Sequence, residues 1–149
     1  MDNLRRPATE ADYDFARRVH HEAYHEVVLR QFGRWVEEEQ DGFFAANWAR
    51  HPHEIILRDG KPCGYVAIYD RDEAVVFNEL VILPAFQGRG IGTCLLREQM
   101  ERARERGVPV WLGLLHENHR AASLYRRLGF RETGKTDTHY LMEWRPEDG

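Results

Sequence analysis

A strand, a glycine-rich loop and a helix follow one another in the second half of the chain, and this order constrains the fold more than any other feature. The apolar run Val75–Leu83 stops at Pro84, and the loop Gln87-Gly-Arg-Gly-Ile-Gly92 leads into apolar positions at helical spacing. The first N–H groups of a helix have no partner within it and form the positive end of its dipole. Because glycines lack Cβ, an anion can approach these groups closely. The segment therefore predicts a phosphate-binding turn.

The loop differs from the two common phosphate-binding motifs. A Walker loop needs a Gly-Lys-Ser/Thr that is missing here, and Thr93 stands where a dinucleotide fingerprint has its third glycine. The next predicted strand ends at His116 rather than at an acid that would bind a ribose. Since glycines alone are also typical of an ordinary loop, two interpretations stay open: a pyrophosphate site of another kind, or no site.

The other segments predict an α/β domain with a mixed, largely antiparallel sheet. Turn signals such as Asp59-Gly60 join some strands directly, whereas helices separate others. The length of 149 residues suits one domain, residues 1–149. We expect strands at 3–6, 55–58, 63–69, 75–83 and 110–115, with two more within 132–144, and helices at 10–28, 35–50, directly after the loop, and 120–128.

The composition argues against several classes of protein. The net charge is −4 and the isoelectric point is about 6.1, whereas nucleic-acid-binding domains are usually basic. No apolar run reaches the roughly 18–20 residues that cross a bilayer, and the first residues lack the apolar segment of a signal peptide. Cys63 and Cys94 are too few for a disulfide framework. We therefore expect a cytoplasmic protein without a nucleic-acid or membrane partner.

Two linked motifs resemble those of a known family. They are Glu79-Leu-Val-Ile-Leu-Pro84 followed by Gln87-Gly-Arg-Gly-Ile-Gly92, and Asn118-x-x-Ala121-x-x-x-Tyr125-x-x-Leu128-Gly129-Phe130. In this order they resemble the GNAT superfamily of acyl-CoA-dependent N-acetyltransferases over residues 55–144. The resemblance implies a twisted mixed sheet, mostly antiparallel, with about four helices and splayed central parallel strands. It implies direct transfer of an acetyl group from acetyl-CoA to a primary amine of a small molecule or protein. It also suggests a homodimer.

The resemblance further implies which residues contact the coenzyme. Pantetheine would lie between Val75–Leu83 and Val110–Leu115, with its amides on the main chain of Val81 and Ile82. Tyr125 would protonate the leaving thiolate, since a phenol keeps its proton at neutral pH; the alternative is a tyrosine that only packs on the sheet. The residues expected at the pyrophosphate are Gln87, Gly88, Arg89, Gly90, Ile91, Gly92 and Thr93. Asn118 and Ala121 are expected to contact the coenzyme as well, although Asn118 can equally cap a helix.

The general base and the acceptor pocket are less well defined by the sequence. Glu79 can accept the proton of the amine, but strand alternation leaves open which face it occupies. His116 and His139 are the other candidates for the base. For the acceptor we consider His139 together with Trp35 and Glu39, because aromatic rings beside carboxylates suit a cationic amine. The same pattern is typical of a core-facing stripe with a solvated acidic face.

Two other functions are compatible with parts of the sequence. His21-Glu22-Ala23-Tyr24-His25 matches the His-Glu-x-x-His pattern of zinc peptidases, in which two histidines on one helix face bind the metal. The sequence identifies no third ligand, so we expect an enzyme without a metal. The second alternative is a sensor or interaction domain that binds CoA without turnover. The two intact motifs and Tyr125 favour the transferase.

Overall fold

Seven strands form one sheet in the computed structural model, which describes residues 3–148. The strands are β1 (Asn3–Pro7), β2 (Glu54–Arg58), β3 (Lys61–Arg71), β4 (Ala74–Ile82), β5 (Val110–Leu115), β6 (Arg131–Lys135) and β7 (His139–Trp144). Their order across the sheet is β1-β2-β3-β4-β5-β7-β6, and only β4 and β5 run parallel. The predicted mixed, mostly antiparallel α/β fold is confirmed. Residues 1, 2 and 149 of the predicted domain lie outside the described residues.

The α-helices of the described chain are α1 (Tyr13–Phe32), α2 (Glu37–Arg50), α3 (Ile91–Arg106) and α4 (His119–Arg127). The helix predicted at 10–28 is preceded by a 3-10 turn at 10–12, where Thr9 and Asp12 form a capping box. It continues to Phe32, because Gly33 is the residue whose left-handed conformation (φ 78°) ends it. Within residues 3–148, no helix combines the length and the hydropathy that a membrane crossing requires.

Buried apolar side chains form two cores, one on each face of the sheet. Neighbouring strand residues such as Tyr65 and Val66 belong to different cores, as the two-residue period of a strand requires. The core under α1 and α2 contains Ala16, Val19, Phe44, Ile55, Tyr65 and Val81. The core under α3 and α4 includes Ile56, Val66, Val75, Phe77, Ile91, Leu95, Leu96, Ala103, Ala122 and Tyr125. Burial of one such large side chain contributes about 1.5–3 kcal/mol.

The parallel strands β4 and β5 are paired for only two residues and then separate. Val75 lies opposite Val110 and Val76 opposite Trp111, and no further pair is formed toward the C-terminal end of β4. On its other edge β4 follows β3 but carries one extra residue, since Ile68 is opposite Phe77 and Ala67 is opposite Glu79. A bulge of this kind bends a strand and increases its twist. The predicted splay of the central parallel strands is therefore present, and it opens a gap in the middle of the sheet.

Candidate active site

Two cavities share one wall residue, Tyr24 of α1. The first, which we call the loop cleft, has a volume of about 790 Å³ and lies between the glycine loop, the end of β4, and α4. The second, which we call the apolar cavity, has a volume of about 910 Å³ and lies between α1, α2 and strands β4, β5 and β7. Tyr24 of α1 lines both. Molecules bound in the two cavities can therefore approach each other beside this phenol.

The glycine loop presents main-chain N–H groups to the loop cleft. Gly88 and Gly90 have φ values of 78° and 80°, in the left-handed region that favours glycine. The first bond inside α3 runs from the N–H of Cys94 to the carbonyl of Gly90, at 3.0 Å. The N–H groups of Ile91, Gly92 and Thr93 therefore have no partner within the helix. Such a helix start is suited to an anion.

Side chains hold this loop in place and add positive charge to it. The amide of Gln87 donates to the carbonyl of Ile82 at 3.0 Å, which ties the loop to the end of β4. Arg120 of α4 lies 3.4 Å from the position that a Cβ on Gly88 would take, so its guanidinium faces the loop. Arg89, by contrast, lies over the ring of Phe86 at 5.2 Å and is not part of the cleft wall. Arg120 thus adds a cation to the cleft side of the loop, which no sequence motif indicated, while Arg58 donates to the carbonyl of Arg89 at 3.2 Å.

The end of β4 directs some main-chain groups toward the gap, where β5 no longer pairs with it. The N–H of Leu83 donates to the carbonyl of Cys63 on β3 at 2.8 Å, and the carbonyl of Val81 lies against Gly64 on the same strand. Because antiparallel residues alternate in the direction of their main-chain groups, those of Leu80 and Ile82 point away from β3. The N–H of Ile82 therefore points toward the gap, while its carbonyl already accepts from Gln87; Val81 also lines the cleft, but its main-chain groups point to β3.

The bulge in β4 decides which way Glu79 faces. Val75 and Phe77 belong to the core under α3, and Val81 belongs to the core under α1, so the extra residue changes the parity of the strand between them. Glu79 consequently shares the face of Val81 and lines the apolar cavity. The hydroxyl of Tyr65 donates to its carboxylate at 3.0 Å. Burial raises the pKa of Glu79 to about 7, although this hydrogen bond opposes the rise.

Tyr125 lies on α4 and lines the loop cleft. Its side chain is buried, with its ring 5.7 Å from that of Phe130, and no residue from 3 to 148 forms a hydrogen bond with its hydroxyl. Burial raises the pKa of Tyr125 to about 12, and the charge of Glu79 adds to this effect. Burial also raises the pKa of Tyr24, again with a contribution from Glu79. The site thus combines one carboxyl whose pKa is about 7 with two phenols that keep their protons.

Two further predicted residues lie at the start of α4. The side chain of Asn118 accepts a hydrogen bond from the N–H of Ala121 at 3.2 Å and so caps the helix. Both residues also line the loop cleft. Asn118 therefore caps the helix, as the sequence allowed, and lines the cleft at the same time.

The two histidine candidates occupy different places. His139 lines the apolar cavity, and its Nδ1 lies 2.7 Å from the hydroxyl of Thr138. Burial lowers the pKa of His139. His116 lines neither cavity; its ring packs on Tyr140 at 4.4 Å, and its Nε2 is buried without a partner in the described chain. Of the three residues proposed as a base, Glu79 and His139 reach a cavity.

Trp35 and Glu39 lie away from both cavities. Trp35 packs on the rings of His21 and His25, at 5.1 and 5.0 Å, in the connection between α1 and α2. Glu39 is exposed and pairs with Arg34 at 3.2 Å. The acidic start of α2 faces solvent, where Arg17 pairs with Glu37 and the positive end of the helix dipole favours carboxylates. Phe43, further along α2, lines the apolar cavity instead.

The His-Glu-x-x-His segment is engaged in an ion-pair network. The Nε2 of His21 lies 2.7 Å from a carboxylate oxygen of Asp41, and Arg17 donates to both Asp41 and Glu37, at 2.7 and 2.8 Å. Among residues 3–148, the one group of three potential metal ligands is His21, Glu37 and Asp41. His25 is not part of it, and both carboxylates are already paired with Arg17. The arrangement of a zinc peptidase, with both histidines on one ion, is not formed.

Comparisons with known proteins agree with this geometry. The family model described as "Acetyltransferase (GNAT) family" matches residues 10–130. An uncharacterized N-acetyltransferase of Methanocaldococcus jannaschii is 34% identical over 107 residues, which are 69% of this chain and 45% of the relative. The N-alpha-acetyltransferase RimI of Mycobacterium tuberculosis is 46% identical over 97 residues, 62% of this chain and 60% of the relative. The chain spans about half the length of these two curated relatives.

A solved structure shares the whole fold. The crystal structure of the PaiA N-acetyltransferase from Thermoplasma acidophilum, in complex with coenzyme A, superposes with a TM-score of 0.78. It covers 97% of this chain and 99% of its own, at 16% sequence identity. At this identity the likeness concerns the fold alone.

Proposed function

The chain belongs to the GNAT family of acetyltransferases, and on that premise we propose that it transfers an acetyl group from acetyl-CoA to a primary amine within a ternary complex. One observation carries the proposal. A cleft suited to a pyrophosphate and a cavity that contains a carboxyl with a pKa of about 7 share Tyr24 as a wall residue. Direct transfer needs two bound molecules whose reacting atoms lie next to each other, and two cavities beside one residue suit this need.

The loop cleft fits acetyl-CoA in three respects. The N–H groups at the start of α3 and the guanidinium of Arg120 offer partners for a diphosphate. The main-chain groups of Leu80 and the N–H of Ile82, which point away from β3, can pair with pantetheine amides as an added strand would. Coenzyme A bound to the Thermoplasma structure of the same fold supports this use. Acetyl-CoA supplies an acetyl group activated as a thioester.

Glu79 acts as the general base in this proposal. An ammonium has no lone pair, so the amine must lose a proton before its nitrogen bonds to the acetyl carbon. A carboxyl whose pKa is about 7 is half ionised at neutral pH, and it can both take this proton and release it later. Tyr65 keeps one carboxylate oxygen in place at 3.0 Å. The second carboxylate oxygen remains for the amine or a bridging water.

Tyr125 acts as the general acid. As the carbon–sulfur bond breaks, the sulfur takes the electron pair and the phenol of Tyr125 gives it a proton, so that CoA leaves as a thiol. The nitrogen, now bonded to the acetyl carbon, loses its second proton as the amide forms, and this proton restores the phenol of Tyr125. The raised pKa of Tyr125 keeps the phenol protonated beforehand. Among the residues that the structure describes, none competes for its hydroxyl, which leaves this proton for the sulfur. Asn118 and Ala121 form the wall beside it.

The acceptor is proposed as a primary amine, free or at the end of a peptide. The name of the Mycobacterium relative, an N-alpha-acetyltransferase, supports an α-amino group. Location in the cytoplasm and a homodimer stay predictions.

The test is release of free thiol from acetyl-CoA in the presence of a panel of primary amines, with binding of acetyl-CoA measured separately by calorimetry. We expect thiol release that depends on the amine. It should stop in the Glu79→Gln variant. In the Tyr125→Phe variant it should fall, while the affinity for acetyl-CoA stays unchanged. Binding without release for every amine would contradict the transferase and indicate a CoA-binding sensor.

A further inference from the structure

We propose that the apolar cavity selects a primary monoamine with an apolar body and rejects polycations. This inference rests on the proposed function, because it identifies the acceptor of the same site. The apolar body can belong to a free amine or to the first residue of a peptide, and the experiment separates these two sources.

Exposed apolar side chains are concentrated at this cavity. Phe32, Phe43 and Leu141 are 48%, 59% and 43% exposed, and all three line it. They come from α1, α2 and β7, three separate elements, so the shared feature is the cavity and not one amphipathic face. Val28, Trp111 and Leu115 continue the apolar wall inward. Apolar surface grouped around a concavity marks a place where an apolar group binds.

The charged groups of the cavity leave room for one ammonium. Its carboxylates are Glu79 and Glu143. Glu143 is already engaged, because it accepts from the ring N–H of Trp111 and from Arg145, both at 2.8 Å. Arg50 also lines the cavity and would repel a second positive charge. A polyamine or an aminoglycoside carries several ammonium groups. Only one of them can pair with Glu79, and Arg50 repels the others.

The histidines of the cavity do not change this balance. Burial lowers the pKa of His20 to about 4, so its ring is neutral near pH 7. Burial also lowers the pKa of His139. His20 packs against Tyr24 with 4.9 Å between ring centroids, which adds another flat surface to the wall. With a volume of about 910 Å³, the cavity has the size of small-molecule sites and admits an aromatic amine or the first residues of a peptide.

The experiment compares three amines in the thiol-release assay: 2-phenylethylamine, the tripeptide amide Phe-Gly-Gly, and spermidine. We expect kcat/KM for at least one of the two apolar amines to exceed that for spermidine by about tenfold or more. Preference for 2-phenylethylamine identifies a free amine, and preference for the tripeptide identifies a peptide terminus. Turnover of spermidine at an equal or higher kcat/KM would overturn the inference while leaving the transferase intact. Absence of turnover with all amines would contradict both.

A pair of matched variants tests whether this cavity makes the selection. Phe43→Asp replaces an exposed ring on the wall with a carboxylate. We expect KM for the preferred apolar amine to rise about tenfold and KM for spermidine to fall, with acetyl-CoA affinity unchanged. Leu29→Asp is the control, since Leu29 is also an exposed apolar residue of a helix but lines neither cavity. Unchanged KM values in Phe43→Asp, or equal changes in both variants, would overturn the inference.

Discussion

Replacing Glu79 with glutamine should stabilise the fold while it removes the base. Burial raises the pKa of this carboxyl from 4.5 to about 7, which means that its ionised form is disfavoured in the folded protein. At about 1.4 kcal/mol for each pH unit, the rise corresponds to about 3 kcal/mol. The side-chain amide oxygen in the Glu79→Gln variant can still accept from Tyr65, so the hydrogen bond is kept. We therefore expect Glu79→Gln to unfold with a free energy about 3 kcal/mol higher at alkaline pH.

The sign of this effect depends on pH in a defined way. Below pH 4.5 the carboxyl is protonated in both the folded and the unfolded chain, so the wild-type protein has no charge to bury and loses no stability. Between pH 4.5 and about 7 the folded chain retains a proton that the unfolded chain has lost, so the wild-type protein loses stability as pH rises through this window. Above about pH 7 the loss is complete. The advantage of Glu79→Gln should grow through the same window and then stay constant.

Urea denaturation of both proteins at about pH 5 and about pH 8.5 measures this difference. Glu132→Gln serves as the control, because Glu132 is an exposed strand residue with no salt bridge in the described structure. Equal stabilities of Glu79→Gln and wild type at both pH values would refute the raised pKa. A variant that is less stable at alkaline pH would show that the carboxylate is stabilised in the folded chain, contrary to the reasoning.

Three other outcomes are expected. Tyr125→Phe should lower kcat about ten- to a thousandfold, with acetyl-CoA affinity unchanged by calorimetry, and a wild-type kcat would remove its role as the acid. Gly90→Ala should cost about 1 kcal/mol, because its φ of 80° strains any Cβ, and should weaken acetyl-CoA binding, whereas the control Gly42→Ala in α2 should do neither. The value of kcat/KM should rise with pH to a plateau above about 7, since the base must be ionised, and a profile that stays flat through pH 7 would exclude Glu79.

Local signals in the sequence predicted the parts of the fold that local chemistry determines. The hairpin at Asp59-Gly60 forms because both residues adopt positive φ, 53° and 80°, which this dipeptide tolerates. The left-handed glycines of the loop and the start of α3 follow from the same kind of information. The end of α1 was placed too early, since the helix continues to Phe32 and ends where Gly33 adopts the left-handed conformation.

The arrangement of the site depends on tertiary contacts that a sequence pattern does not contain. The face of Glu79 was undetermined because it depends on a bulge, and a bulge shows only in the pairing of β4 with β3. Arg120 follows a helix cap and has no local signal that points to the glycine loop. Tyr24 was considered only within a His-Glu-x-x-His segment, whereas its position between two cavities comes from the packing of α1 over the gap.

The acceptor-binding residues were predicted from residue types alone. Residue types do not show whether a side chain lines a pocket or lies on the open surface. Trp35 and Glu39 have the residue types that suit an amine, but an ion-pair network and solvent hold them elsewhere. Phe43, beyond the acidic start of α2, is exposed and lines the cavity, as does Leu141 of β7. Its neighbour Phe44 is buried in the core, so two adjacent rings of one helix take the two roles, pocket wall and core, that the aromatic pattern left open.

A crystal structure with coenzyme A bound tests the central claim most directly. We expect the diphosphate on the N–H groups of residues 91–93, pantetheine along Leu80 and Ile82, and the sulfur within hydrogen-bond reach of the hydroxyl of Tyr125. Coenzyme bound outside the loop cleft, or a sulfur directed away from both Tyr125 and Glu79, would contradict the account.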